Sequence, residues 1–309
     1  MNAGIRTAVS VNAAEKISLA QSGRIVCYIV LYIKNRQWFG DIIFMSSNNV
    51  VMIRGGGDLG SGIAHKLHRS GFKVLILEIE QPNVIRRKVS FAPAVYDGQT
   101  TVEDVKAVKA VTEQEVHEIW RQGNIAVCVD PEASLIRAIK AAVVIDAVMA
   151  KKNTGTRRDM APIAIALGPG FEAGKDVDIV IETNRGHNLG RLIYEGCAEP
   201  NTGVPGSITG YAEERLLRAP CDGRISIVLN IGDKVTAGEI ICYVDTVPVR
   251  SAIDGIIRGL IMNNLQVTKG CKLGDVDPRG IKKYCFTISD KARTIAGAVL
   301  EAILSMQKD

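Results

Sequence analysis

Val50-Val-Met-Ile-Arg-Gly55-Gly-Gly57-Asp-Leu-Gly60 is the stretch on which the fold turns. Val50 to Ile53 is a short unbroken apolar run, the pattern of a parallel strand buried on both faces. Glycines follow at once. Ile63 and Leu67 then mark one face of a helix running to about Arg69, with Gly71 as its stop. Lys73-Val-Leu-Ile-Leu-Glu78 is a second apolar run. Strand, glycine turn, helix and strand form the opening βαβ unit of an α/β protein with a parallel sheet.

Within that unit, Gly55-x-Gly57-x-x-Gly60 has the dinucleotide spacing. Glu78 stands 23 residues after Gly55, at the end of the second strand. Small residues let backbone N–H groups approach a pyrophosphate, the helix N-terminus adds positive potential, and an acidic residue so placed accepts from ribose hydroxyls. Gly55, Gly57, Gly60 and Glu78 are therefore the candidate cofactor-binding residues. Asp58 strains that reading, because its carboxylate would repel phosphate unless it points away or caps the helix. The same residues would also serve a tight unliganded turn. On the following helix, His65 and His68 are spaced to face one metal. No third ligand is evident in sequence, so a helix surface is expected and no metal site is assigned.

The alternation continues downstream. Thr112-Glu-Gln-Glu115 is a capping box opening a helix through Trp120. Asn124–Asp130, Ala142–Asp146, Pro162–Leu167 and Asp178–Thr183 read as strands, and Ser134–Lys140 as helical. The expected fold is a doubly wound, mostly parallel Rossmann-like sheet over residues 45–210. Glycine and proline density rises from Gly196 to Gly210, as in a linker. Residues 1–44 pattern poorly and are expected to be an extension.

Two glycine-bearing loops fall at strand ends, where ligands sit in doubly wound sheets. Leu167-Gly168-Pro-Gly170-Phe171 leads to Gly174-Lys175-Asp176, which is not a phosphate loop. Five residues separate Gly168 from Gly174 instead of four, and Asp176 stands where a magnesium-binding hydroxyl belongs. The next loop, Glu182-Thr-Asn-Arg185-Gly-His187-Asn-Leu-Gly-Arg191, places an acid/base pair beside guanidiniums. Its candidates are His187 and Glu182 as catalytic groups, with Arg185, Arg191, Gly168 and Gly170 as substrate- or anion-binding residues. A solvated polar loop is the alternative.

The C-terminal region, residues 211–309, carries an internal repeat at an offset of 32. Ala219-Pro-Cys-Asp222-Gly223-Arg-Ile225 answers to Ser251-Ala-Ile-Asp254-Gly255-Ile-Ile257, and Val235-Thr-Ala-Gly238 to Val267-Thr-Lys-Gly270. Asp-Gly followed by alternating apolar residues is a turn entering a strand. Two such half-units look like the β barrel-sandwich of biotinyl and lipoyl carrier domains. The hairpin Tyr243–Arg250, where a carrier presents its lysine, contains none. An appendage or docking module is expected rather than a swinging arm. Arg293–Met306 reads as a final amphipathic helix.

Composition bounds the rest. At 309 residues the chain is long enough for two or three domains. The net charge of +5 comes from scattered cations without interleaved aromatics, which argues against a nucleic-acid surface. Seven cysteines, an odd number with no C-x-x-C pair, argue against a disulfide framework or zinc ribbon and for a reducing compartment. Cys197 is the cysteine least expected to be buried. The longest early apolar run, 25–33, is too short to cross a bilayer. A cytoplasmic protein without membrane or nucleic-acid partners is expected, with an oligomer left open.

Arg54-Gly-Gly-Gly-Asp-Leu-Gly-Ser-Gly62, Gly71–Pro82, Val84-Ile-Arg-Arg-Lys-Val-Ser-Phe91, Leu167–Phe171, Glu182–His187, Leu189–Arg191 and Gly274-Asp-Val-Asp-Pro-Arg279 together resemble one family. It is the selenium-dependent molybdenum hydroxylase system protein family, of YqeB type, and the resemblance runs from about Met52 to the C-terminus. It implies an accessory role in maturing hydroxylases similar to xanthine dehydrogenase. It implies no particular reaction. The expected partners are then a client molybdenum hydroxylase and a nucleotide, either NAD or a molybdenum cofactor dinucleotide, with any part played by selenium undefined. Two other classes stay open: an NAD-dependent oxidoreductase with His187 as acid/base, and a non-catalytic scaffold.

Overall fold

The computed structural model describes residues 49–306 apart from 202 and 204, so the poorly patterned N-terminal residues and Cys27 lie outside the described residues. It opens with β1 (Val50–Arg54), helix α1 (Asp58–Arg69) and β2 (Lys73–Glu78). A short helix α2 (Ala94–Asp97) and the strands β3 (Gln99–Val102) and β4 (Val105–Lys109) follow. Next come α3 (Glu113–Arg121), β5 (Ile125–Val129), α4 (Leu135–Ile139), β6 (Val143–Asp146) and β7 (Ile163–Leu167). A two-residue strand β8 (Glu172–Ala173), β9 (Ile179–Ile181), β10 (Leu192–Ile193) and β11 (Gly196–Cys197) complete this part.

Nine of these strands form one sheet in the order β10-β9-β7-β6-β1-β2-β5-β4-β3. Only its two edge strands are antiparallel to their neighbours. The order reverses at β1, which has β2 on one side and β6 on the other. The registers align Arg54 with Leu77 and Asp146, and Glu78 with Val129, so the glycine turn, Ile79, Asp130 and Ala147 emerge along one edge. That edge, at the strand carboxyl ends beside a reversal, is where a crevice opens in such sheets. The β3–β4 hairpin was not anticipated. Its polar, half-exposed residues break the apolar pattern that marked the inner strands.

Helix α3 begins as its sequence predicts. Thr112 Oγ1 accepts from Glu115 N–H, while the Glu115 carboxylate accepts from Thr112 N–H. At its other end the buried Trp120 donates through Nε1 to Val74 O at 2.8 Å, fixing α3 on β2. Met52, Leu75, Leu77, Val116, Trp120 and Val144 belong to one core on this side of the sheet.

After residue 210 come β12 (Leu216–Arg218), β13 (Gly223–Ile227), β14 (Lys234–Val235) and β15 (Ile240–Val244). They are followed by β16 (Val247–Arg250), β17 (Gly255–Leu260), β18 (Gln266–Val267), β19 (Lys272–Asp277) and a last helix α5 (Asp290–Met306). The helix starts three residues earlier than the sequence pattern places it. Ala292 on α5 lies so close to Gly62 of α1 that a Cβ there would come within 2.9 Å of the alanine methyl.

The eight small strands make two four-stranded antiparallel sheets, β12-β19-β17-β14 and β16-β15-β13-β18, one of them curled into a half-barrel. The repeat explains their pairing. The short strand β14 of the first half-unit pairs with β17 of the second, and β18 of the second pairs with β13 of the first. Gly238 N–H donates to Ser251 O and Gly270 N–H to Ala219 O, both at 2.8 Å. Asp254 Oδ1 accepts from Ala237 N–H at 2.8 Å, and Asp222 Oδ1 from Lys269 N–H at 2.7 Å. The repeated residues are thus the ones that tie each half-unit to the other. Residues 46–309 make one compact unit, so the large sheet and the small sheets pack together.

Candidate functional site

A cavity of about 1100 Å³ opens at the carboxyl edge of the parallel strands. One wall is the glycine turn and the ends of β1, β2 and β6. Arg215, Arg258, Lys272 and Arg279 from the C-terminal part form another, and Gly206 to Thr209, from the stretch that reads as a linker, close a third.

The three spaced glycines do different work. Gly55 has φ +91° and donates its N–H to Leu77 O at 2.9 Å, a left-handed turn that suits glycine. At Gly60 a Cβ would sit 2.0 Å from Gly55 O, so its bareness lets α1 close on the strand. Gly57 precedes α1 with ordinary extended angles, and the nearest atom to a Cβ there would be Val84 Cγ1 at 3.7 Å. Gly57 lines the cavity, and it is the position where backbone faces open space at a helix N-terminus.

Glu78 also lines the cavity and is buried. Its Oε1 accepts from Gly56 N–H at 2.6 Å and its Oε2 from Ile79 N–H at 3.1 Å. Burial pushes its pKa up, and those two N–H groups pull it back only in part. The carboxylate holds the glycine turn in place, and each oxygen retains acceptor capacity beyond these bonds.

Asp58 points at Arg86. The guanidinium Nη1 lies 3.1 Å and 3.2 Å from the two carboxylate oxygens. Arg86 Nη2 donates to Tyr284 O and Thr287 O. The Asp58 charge is therefore offset by a cation that is only 7% exposed and whose Nε has no hydrogen-bond partner among the described residues.

The polar loop after β9 divides. Arg185 reaches the cavity, but its fork is already bidentate to Asp290 at 2.9 and 3.0 Å. That fork holds the Asp290 carboxyl far below its usual range. His187 is exposed, and the described lining of the cavity includes no histidine. Arg191 lies in a separate hollow with Glu182, Asn188 and the exposed Cys197. Glu182 is buried, with Oε1 accepting from Asn184 N–H and Oε2 from Glu199 N–H, which fastens two loops together. Arg185 and Arg191 therefore line different hollows, and His187 lines neither of them. The loop turns back at Gly190, whose N–H donates to Glu182 O, and this carries His187 and Arg191 away. Gly168 and Gly170 do not line the cavity. A Cβ would fall 2.4 Å from Thr183 Oγ1 at the first and 2.7 Å from Lys152 N at the second, so both serve close packing of neighbouring loops.

His65 is buried, not on a helix surface. Its Nε2 lies 3.0 Å from Asp104 Oδ1 and 3.8 Å from Glu103 Oε2, but Arg69 also pairs with Asp104 and Arg293 with Glu103. The cluster is charge-balanced internally. Among the described cysteines, Cys128, Cys242 and Cys285 are buried, and burial pushes the thiols of the first two up to about 12 and about 11.

Sequence reasoning missed most of the cavity's cations. Arg86 belongs to a basic triplet that was visible, but Arg215, Arg258 and Lys272 stand singly on or beside strands of the repeat region, with no local pattern to mark them.

No protein-family model matches the chain. Likenesses to solved structures are distant. The tRNA N6-threonylcarbamoyladenosine dehydratase TcdA of E. coli, crystallised in complex with AMP, is 12% identical over 87% of this chain and 94% of that one, with a TM-score of 0.30. The ectoine utilization protein EutE (DoeB) from Ruegeria pomeroyi is 10% identical over 74% and 85%, with a TM-score of 0.24. Neither carries weight for function. The sequence itself is 49% identical over 261 residues to the uncharacterized protein YqeB of Escherichia coli (strain K12), which is 84% of this chain and 48% of that protein. The chain spans about half the length of the relative it matches and is a homologue of YqeB.

Proposed function

We propose that this chain is an accessory protein for the maturation of selenium-dependent molybdenum hydroxylases, and that it binds a nucleotide or nucleotide-containing cofactor in the cavity at the glycine turn. The observation that carries the binding half is Gly57. It is a helix N-terminal position without a side chain, facing a large cavity rimmed by guanidiniums. In this reading the nine-stranded sheet is Rossmann-like and doubly wound. The pyrophosphate of a dinucleotide lies on Gly55–Gly57 and the start of α1, and a ribose hydroxyl donates to Glu78. The two small sheets are a barrel-sandwich without a carrier lysine, serving as a wall of the site and a surface for the client. The maturation half is supported by the motif resemblance, whose segments Arg54–Gly62, Val84–Phe91 and Gly274–Arg279 contribute residues to the same cavity. A cytoplasmic location accords with the reading, and no helix among the described residues is long and apolar enough to cross a membrane. His187 is exposed and not among the lining residues of the cavity, which gives the oxidoreductase alternative no support.

The test is chemical. The purified protein is denatured and the supernatant analysed by mass spectrometry for nicotinamide or cytosine dinucleotides, beside a Gly57→Val variant. A dinucleotide released by the parent and lost from the variant is expected. A parent that releases none, and that binds neither ADP nor NAD in titration, overturns the nucleotide reading. A Gly57→Val protein that activates a reconstituted client hydroxylase as well as the parent does would separate the nucleotide from maturation.

A further inference from the structure

The cavity's charges are mostly spent on one another. Asp58 is taken by Arg86 and Asp290 by Arg185. Asp275 is taken by Arg215 at 3.0 Å, and Asp277, just behind the wall, by Arg279 at 2.6 Å. Asp130 caps α4, accepting from Ser134 and Leu135 N–H. Arg54 is held by Thr156 and Asp146. Two cations remain. Arg258, on β17, has a guanidinium with no hydrogen bond among the described residues, and its Nε is buried without a partner. Its nearest carboxylates, Asp277 and Asp275, stand off at 3.8 and 3.9 Å. Lys272, on β19, has no ion pair or hydrogen bond to its ammonium among the described residues. β17 and β19 are paired neighbours, and both residues line the cavity.

Holding two cations partly out of water, neither with a hydrogen bond among the described residues and one ion-paired only at 3.8 and 3.9 Å, is unfavourable unless something completes them. Burial lowers the pKa of both. Arg86 then adds to the effect on Arg258, against the opposite pull of Asp275, Asp58 and Asp277, and Arg215, Arg218 and Arg258 add to it on Lys272, against that of Asp275. A dianion would complete both, and a forked guanidinium together with an ammonium suits a phosphate.

We propose that Arg258 and Lys272 form a second anion subsite, which takes a phosphate monoester or comparable dianion of a ligand whose diphosphate lies on the glycine turn. The ligand class is thus a nucleotide with two separated anionic groups. The subsite itself stands on Arg258 and Lys272. Only the ligand's other half rests on the nucleotide reading above.

The experiment uses the full chain with two probes, inorganic phosphate and ADP, titrated by calorimetry into the parent, Lys272→Met, Arg258→Met and Gly57→Val. Phosphate is expected to bind the parent saturably and to lose roughly tenfold in affinity in Lys272→Met and in Arg258→Met, the effect of one charge-assisted contact. It should keep its affinity in Gly57→Val. ADP should do the reverse, failing with Gly57→Val and holding within about twofold in Lys272→Met. Melting curves come first. Removing an unpaired cation should leave Lys272→Met at least as stable as the parent without anions, and Lys272→Gln serves if the methionine variant does not fold. Absence of saturable phosphate binding to the parent, or phosphate affinity unchanged in both the Lys272 and Arg258 variants, overturns the subsite. If ADP fails on the parent while phosphate behaves as described, the subsite stands and the nucleotide reading falls.

Discussion

At the scale of single residues, neighbouring glycines in one turn carry different costs. Gly60→Ala puts a methyl 2.0 Å from Gly55 O, so strand and helix must part. A loss of roughly 1–3 kcal/mol in urea denaturation is expected, by the overpacking rule. Gly57→Val meets only Val84 at a comfortable distance and an extended backbone that valine accepts. Its stability should stay within about 0.5 kcal/mol of the parent while ligand binding is lost. Equal stability of the two variants would show that the turn is looser than the distances imply. Glu78 makes a pH prediction. Its folded pKa is raised above the ordinary 4.5, so the folded state holds the proton more tightly than the unfolded chain. The stability it contributes is complete below that value and is lost as pH rises through the raised one. Glu78→Gln has no such proton. The parent's stability relative to the variant should therefore fall as pH rises above 4.5 and through the raised value, followed by urea midpoints. Parallel profiles would remove Glu78 from the account.

At the scale of elements, the repeat is a set of reciprocal fastenings. Asp222 and Asp254 occupy equivalent positions, and each accepts a backbone N–H from the other half-unit. Replacing either by Ala leaves one such donor unpaired and should cost about 1 kcal/mol, and similarly for the two. Equilibrium unfolding of the single variants checks this. A marked inequality would mean that the half-units differ in load despite their sequence symmetry. The short strands β14 and β18 were barely visible as strands, at two residues each, because their stability comes from the opposite half-unit and not from their own pattern.

At the scale of the whole molecule, Arg86 is the residue that joins distant segments. From a basic triplet before Val89 it reaches Asp58 at the glycine turn and the carbonyls of Tyr284 and Thr287 ahead of α5. Arg86→Met should cost about 3 kcal/mol, because it strands Asp58 and two carbonyls at a buried junction. Arg86→Lys should recover only part of this, since one ammonium nitrogen cannot stand in both the position of Nη1 at Asp58 and that of Nη2 at the two carbonyls. Denaturation of both variants tests the point. A methionine variant as stable as the parent would mean that the junction is not a closure.

What the sequence by itself determined is local and periodic. The Val50–Ile53 run, the glycine turn, the Thr112 capping box and the offset of 32 each specify an element through neighbours a few residues away, and the structure places an element at each. What only the tertiary structure decided is which polar residues meet. Glu182, Arg185, His187 and Arg191 lie close together in sequence and part company in space, because Gly190 turns the loop back on Glu182. Arg54, Arg86, Arg258 and Lys272 lie far apart in sequence and share a cavity, because β17 and β19 are packed against the carboxyl edge of the parallel sheet. Hydrophobic periodicity encodes which face of an element is buried, since burial recurs along the chain with the element's own repeat. A site built from single side chains on separate strands has no such repeat, and its members become neighbours only when the sheets pack.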